Sequence, residues 1–139
     1  MRTIEPISSI MSTDIIALHR DDDLETAEML FKRHKIRHIP VVDKDVIIGM
    51  LSYTDLLRIS FADAVDPYDT DVDTLVYNMF TIEQVMAKNI ISVPSTASIK
   101  QVAELLAQRE FHALPVVDNG NLVGIVTTTD LINYLLKKL

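Results

Sequence analysis

At 139 residues and 48% hydrophobic, the chain has the size and apolar mass of a folded domain and lies well outside the composition of disordered segments. It has no cysteine, which excludes a disulfide framework, a thiolate metal site and a cysteine nucleophile, and fits a reducing, cytoplasmic setting. A formal charge of −7 and a pI near 4.9 argue against nucleic acid or an anionic membrane as partner, and no run has the form of a secretion signal or approaches the roughly 18 apolar residues of a membrane span.

In chain order, Ile15-Ile16-Ala17-Leu18 is an apolar run of strand length. The period then becomes helical. Leu24, Ala27, Leu30 and Phe31 share one face, Asp22 or Asp23 is placed to cap, and the acidic Asp21 to Asp23 run complements the positive end of the helix dipole. Strands at Ile39 to Asp43 and Val46 to Leu51 follow as a hairpin, and Thr54 to about Phe61 reads as a helix opening on a Thr-Asp pair. Ala62 to Met79 carries Asp63, Asp66, Asp69, Asp71 and Asp73 around Pro67, and reads as a solvated linker with a helical turn near Leu75-Val76-Tyr77.

The series then begins again. Ile90-Ile91-Ser92-Val93 is a second apolar run. Ile99, Val102, Ala103, Leu105 and Leu106 form a helical face behind a capping box of Ser98 and Gln101. Strands at Leu114 to Asp118 and Leu122 to Val126 meet at the turn Asp118-Asn119-Gly120-Asn121, and Thr129 to Lys138 closes as a helix. One gapless register of 75 residues aligns the copies, pairing Met11 with Met86, Pro40-Val41-Val42-Asp43 with Pro115-Val116-Val117-Asp118, Gly49 with Gly124 and Thr54-Asp55-Leu56 with Thr129-Asp130-Leu131. The expected architecture is α/β, a tandem β-α-β-β-α repeat with pseudo-two-fold related sites. Its divisions are a first repeat over 1–61, an acidic linker over 62–79 and a second repeat over 80–139, the two repeats sharing one core.

The chemistry concentrates at a strand-to-helix junction present in both copies, a glycine followed by two apolar residues, Ser52 or Thr127, and then Asp55 or Asp130 three residues on. Unpaired backbone N–H groups at a helix start favour an anion such as phosphate, and a hydroxyl beside them adds a hydrogen bond. An ionised carboxylate can take both hydroxyls of a ribose. The competing structural reading is that Thr54 or Asp55, and Thr129 or Asp130, simply cap their helices.

The doubled apolar-Pro-Val-Val-Asp segment followed by this junction resembles the CBS-domain pair, or Bateman module, over Ile7 to Ser60 and Ile82 to Leu139. The resemblance implies two repeats packed through their sheets, further pairing as a homodimer, and a regulatory rather than catalytic role. It implies adenosine-containing ligands, AMP, ADP, ATP or S-adenosylmethionine, with no cofactor required. Carried over by position, Asp55 and Asp130 hold ribose, and Ser52 and Thr127 approach phosphate. Arg37, His38 and His112 occupy positions from which similar modules direct basic side chains at phosphate. One cleft would combine Asp130, Thr127, Ile125 and His112 with Met11, Ile16 and Ile36. The other would combine Asp55, Ser52, Met50, Arg37 and His38 with Met86, Ile91 and Phe111. The apolar members form the adenine pockets, and each would equally serve as core in such a fold.

The basic run Lys32 to His38 stands out in an acidic chain. Lys32 to Lys35 suit the last turn of a helix, whereas Arg37 and His38 lie beyond it. The second copy has His112 and then Ala113 at those places, so the clefts are expected to be unequal, the Asp55 cleft preferring more phosphate. Two functional readings follow. One is a nucleotide-sensing module acting on an unidentified effector protein, and the other is a ligand-free homodimerisation or protein-interaction module. His19, His34, His38 and His112 fall into no metal-ligand spacing, and no nucleophile motif is present, so an enzyme is not expected.

Overall fold

The structure, a computed structural model, describes residues 5–62, 79–109 and 112–139, with the backbone alone at 60–62. Residues 63–78 of the expected linker, with its helical turn, and Phe111 lie outside the described residues. The chain divides into two compact units that cut across the sequence repeats. One is Ile16–Ile90, and the other joins Met1–Ile15 to Ile91–Leu139.

In the Ile16–Ile90 unit the elements are β1 (Leu18–His19), α1 (Leu24–His34), β2 (His38–Asp43), β3 (Val46–Ser52), α2 (Tyr53–Ala62) and α3 (Ile82–Val85). The apolar run Ile15 to Leu18 yields a strand of only two residues, because its parallel pairing with β2 is confined to Leu18 with Val41 and His19 with Val42. Asp23 is the α1 cap, its carboxylate accepting from Thr26 N at 2.8 Å, and Lys35 ends the helix in the left-handed conformation at φ 54°. β2 and β3 pair antiparallel around Lys44 and Asp45, and the register shifts between Val41 and Val42. α2 begins at Tyr53, one residue earlier than the Thr-Asp pair suggests. The short α3 is held by a complete capping box of Thr81 and Gln84 that the sequence reading overlooked.

The other unit repeats this plan with α4 (Ile99–Gln108), β4 (Ala113–Asp118), β5 (Asn121–Thr127) and α5 (Thr128–Lys138), preceded by a 3-10 turn at Ile7–Ser9. Of the run Ile90 to Val93, only Val93 pairs, as a single parallel bridge to Val116. Ser98 and Gln101 form the expected box on α4. The β4–β5 turn has Asn119 at φ 54° and Gly120 at φ 83°, two consecutive left-handed residues, as a two-residue hairpin of the right twist requires. The register shift recurs between Val116 and Val117. α5 begins at Thr128, with Thr127 as its cap, so the Thr-Asp pair again lies inside the helix.

Each unit has its own core, where the sequence reading expected a shared one. The first contains Leu18, Leu24, Phe31, Ile39, Val41, Leu51 and Leu56, and is completed by Ile82 and Met86 from the start of the second repeat. The second contains Val93, Ile99, Val102, Leu114, Val116 and Val126, and is completed by Ile7 from the start of the first repeat. Ile7 and Ile82 are repeat-equivalent, and both are fully buried at 0% exposure. Ile7 is fixed by its N–H to Ala97 O at 2.6 Å, and the neighbouring Ser8 N–H reaches Ser95 O at 3.3 Å. No helix among the described residues is long and apolar enough to cross a membrane.

Candidate functional site

In the Ile16–Ile90 unit, β3 delivers Ser52 to the start of α2. Ser52 Oγ accepts from Asp55 N at 3.0 Å, and Asp55 Oδ2 accepts from Ser52 N at 3.4 Å. The same carboxylate meets Arg58 Nη1 through Oδ1 at 3.5 Å. The motif is thus a capping box with Ser at the cap and Asp three residues inside, so neither Thr54 nor Asp55 is itself the cap. A carboxylate offers about four acceptor positions, so one bond to Ser52 N leaves Asp55 able to accept further hydroxyl donors. His38 opens β2 directly across the ladder from Ser52 and is half-buried. Met50 is buried and exchanges two backbone hydrogen bonds with Ala87, at 3.0 and 2.9 Å. That bridge brings Met86 onto Gly49, where a Cβ would sit within 2.9 Å of both Met86 Cε and Ala87 O.

Arg37 is exposed, and its carbonyl takes the N–H of Tyr53 at 2.9 Å. Around it the C-terminal end of α1 and the first turn of α2 enclose an open groove of ≈ 380 Å³. Phe31 and Tyr53, whose rings meet edge to face at 5.5 Å, form one part of its wall, and Lys32, Lys35, Arg37 and Thr54 supply the polar part, with Ile36 among the lining. Lys32 also pairs with Glu28 at 2.5 Å. Sequence reasoning misses Lys35 and Thr54 because a cation at the end of a helix and a Thr in its first turn have ordinary structural explanations. The signal for Lys35 was its place just after the last helical residue, where the chain turns back toward β2.

The second unit reproduces the junction more tightly. Thr127 Oγ1 accepts from Asp130 N at 3.1 Å, and Asp130 Oδ2 accepts from Thr127 N at 2.8 Å. His112 has an exposed side chain, and its carbonyl takes Thr128 N–H at 2.9 Å. Ile125 exchanges two backbone bonds with Ser12, at 2.8 and 3.0 Å, which brings Met11 onto Gly124. Ile91 is half-buried against the same core. Ile16 and Ile36 fall in the unit of Asp55, and Ile91 in that of Asp130. Among the described residues no group of three His, Asp or Glu side chains is placed to hold a metal ion.

A family model described as the CBS domain matches the chain twice, over residues 7–62 and 82–137. The CBS domain-containing protein YhcV of Bacillus subtilis is 29% identical over 125 residues, spanning 90% of this chain and 81% of its own length. The crystal structure of a Vibrio cholerae chain named AcuB superposes with a TM-score of 0.83 at 26% identity, covering 98% of this chain and 93% of that one. The CBS domain pair of protein MJ0100, solved in complex with 5′-methylthioadenosine and S-adenosyl-L-methionine, gives a TM-score of 0.77 at 25% identity, over 99% and 100% of the two chains.

Proposed function

Because this chain belongs to the CBS-domain family, as a tandem pair, we propose that it is a regulatory module that binds an adenosine-containing ligand and responds by a change in repeat or dimer packing. The observation that carries this reading is the duplicated junction, in which Ser52 with Asp55 and Thr127 with Asp130 present a hydroxyl and a carboxylate at a helix start. The ligands of the MJ0100 pair both contain adenosine, which supports the adenine and ribose assignments. Asp55 and Asp130 take ribose hydroxyls. Ser52, Thr127, Arg37, His38 and His112 meet phosphate or another charged tail, and Met11, Ile16, Ile36, Met50, Met86, Ile91, Phe111 and Ile125 supply the adenine walls. The groove beside Arg37 gives the Asp55 side more cationic capacity, so AMP, ADP or ATP suits it better than a ligand without phosphate. The module works in the cytoplasm and acts on an effector protein.

A second copy is the expected partner. Ile132, Leu135, Leu136 and Leu139 of the α5 segment are 53%, 56%, 63% and 92% exposed, and their spacing places them on one helical face. This stripe favours homodimerisation and also supports the alternative reading of an assembly module with no small ligand. Leu136→Asp is expected to lower the molar mass seen by light scattering to that of the monomer, and an unchanged mass would overturn the use of α5.

The deciding experiment is a thermal-shift panel of AMP, ADP, ATP, S-adenosylmethionine, NAD and GTP on the wild type, Asp55→Asn and Asp130→Asn. Asn retains the oxygen that serves the cap. A ligand at 100 times its Kd stabilises by about 2.7 kcal/mol, roughly 8–10 °C for this chain length. A rise with adenosine ligands that the Asn variants lose supports the sensor, and no shift with any compound at millimolar concentration rejects it in favour of the assembly module.

A further inference from the structure

Two methionines pack on the two glycines of the repeat, and they differ in access. In the first unit Met86, 8% exposed, lies on Gly49. In the second Met11 is half-buried on Gly124, where a Cβ would meet Met11 Sδ, with Cγ at 3.0 Å and Cε at 3.1 Å. The thioether therefore fills the space that any larger residue at 124 would need. Met11 also belongs to the segment that brings Ile7 into the core, and that segment is held at Ile7 N to Ala97 O (2.6 Å), Ile99 N to Glu5 O (3.0 Å) and the Ser12–Ile125 pair.

We infer that Met11 is a site of reversible oxidative modification, at which hydrogen peroxide converts the thioether to a sulfoxide and thereby detaches the N-terminal segment from β5. The sulfur lone pair attacks one peroxide oxygen and the O–O bond breaks. The proton of the transferred oxygen passes through solvent to the departing hydroxide, which leaves as water. Sulfur loses two electrons and peroxide gains them. The product is a polar acceptor with an added oxygen on the atom that faces Gly124. The nearby backbone donors are committed, since Ile10 N and Met11 N both serve Ile7 O at 3.0 Å and Ser12 N serves Ile125 O at 2.8 Å. Ile10, Ile91 and Leu131, packed against the same core, offer no side-chain donor. An oxidised Met11 is not accommodated by volume against Gly124 and finds its hydrogen bonds by turning to solvent, so the side chain leaves and the segment loosens. Met86 has the same contact with less access and reacts more slowly. The inference does not depend on nucleotide binding.

The test is peroxide titration of the full chain, with oxidation read at each methionine by mass spectrometry and backbone exchange read by deuterium uptake. Met29 and Met79, 46% and 70% exposed, oxidise first and leave exchange unchanged. As Met11 sulfoxide accumulates, exchange at Ser12 and Ile125 is expected to rise on the order of tenfold, in proportion to Met11 occupancy, and to return after treatment with the A and B methionine sulfoxide reductases. Met11→Leu, a volume-conserving change, should keep exchange at its resting rate under the same peroxide. The inference fails if Met11 remains a thioether once Met29 and Met79 are fully oxidised. It fails equally if exchange does not follow Met11 occupancy in the unmodified chain, or if Met11→Leu loosens to the same extent.

Discussion

Tyr53 donates its main-chain N–H to the carbonyl of Arg37 at 2.9 Å, and 75 residues later Thr128 donates to His112 at the same 2.9 Å. The bond joins the residue before the Pro strand to the first residue of the following helix, and it uses only backbone atoms. Whatever side chain stands at 37 or 112 is therefore carried to a helix start by a scaffold indifferent to its identity. The repeat keeps the frame and varies the charge.

Arg37→Ala should consequently weaken a phosphate-bearing ligand without weakening the fold. Loss of one charge-assisted contact is worth about 1.5–3 kcal/mol, or roughly a tenfold to hundredfold rise in Kd. Calorimetric titration with ATP would measure it, alongside a urea midpoint that stays where it was. Equal affinities for the variant and the wild type would remove Arg37 from the site.

The glycines test the methionine contacts from the other side. Gly49→Ala puts a Cβ 2.9 Å from the carbonyl of Ala87, a backbone atom that cannot swing aside, as well as against Met86. Gly124→Ala meets only the flexible side chain of Met11 among its three nearest atoms. Overpacking of this kind destabilises by about 1–3 kcal/mol, and Gly49→Ala should stand at the high end and Gly124→Ala at the low end. Urea unfolding of the two variants would reveal the order, and the reverse order would contradict it.

A side-chain contact in the second repeat also predicts a pH effect. Asp118 takes the Ser95 hydroxyl at 2.6 Å and the Ser95 N–H at 3.0 Å, and these bonds hold its carboxyl below the usual carboxylate range, the side-chain bond contributing most. A carboxyl depressed by folding stabilises above its unfolded pKa, and that stability is lost as pH falls through the folded value. Ser95→Ala should therefore lower the urea midpoint at neutral pH, and the gap from wild type should close as pH falls below the usual carboxylate range. A gap independent of pH would show that Ser95 acts by packing alone.

Ile82→Ala and Ile7→Ala should each damage the unit of the other repeat. Both remove a fully buried side chain, which destabilises by about 2–5 kcal/mol. Hydrogen exchange resolved along the chain should show Ile82→Ala loosening α1, β2 and β3, and Ile7→Ala loosening α4, β4 and β5. Loosening confined to each isoleucine's own repeat would refute the exchange.

What the sequence made legible is what depends on local chemistry. The Asn119-Gly120 turn, the Asp23 cap and the Ser98–Gln101 box follow from residues within four positions of one another, as does the Ser/Thr-x-x-Asp junction. β1 was overestimated because strand length is set by the partner, and β2 offers pairing only at Val41 and Val42. The roles of Ile7 and Ile82 were illegible because their packing partners come from the other repeat. The basic groove was half visible. Arg37 stood out by charge, whereas Thr54 acquires a role only once α1 and α2 are side by side.

The exchange of Ile7 and Ile82 also orders events during synthesis. A ribosome releases everything the Ile16–Ile90 unit needs once residue 90 has emerged, so that unit can close while the rest of the chain is still being made. Ile7 emerges before its partners and must wait longest, for Ala97, about 90 residues on, then Val102 and finally Val126, a long loop to close before β4 and β5 can cover it. Until then the nascent protein carries one finished half and an unpartnered apolar leader. Its vulnerable interval lasts until Val126 has emerged, and a premature stop within β4 or β5 would leave that first segment with no core to enter.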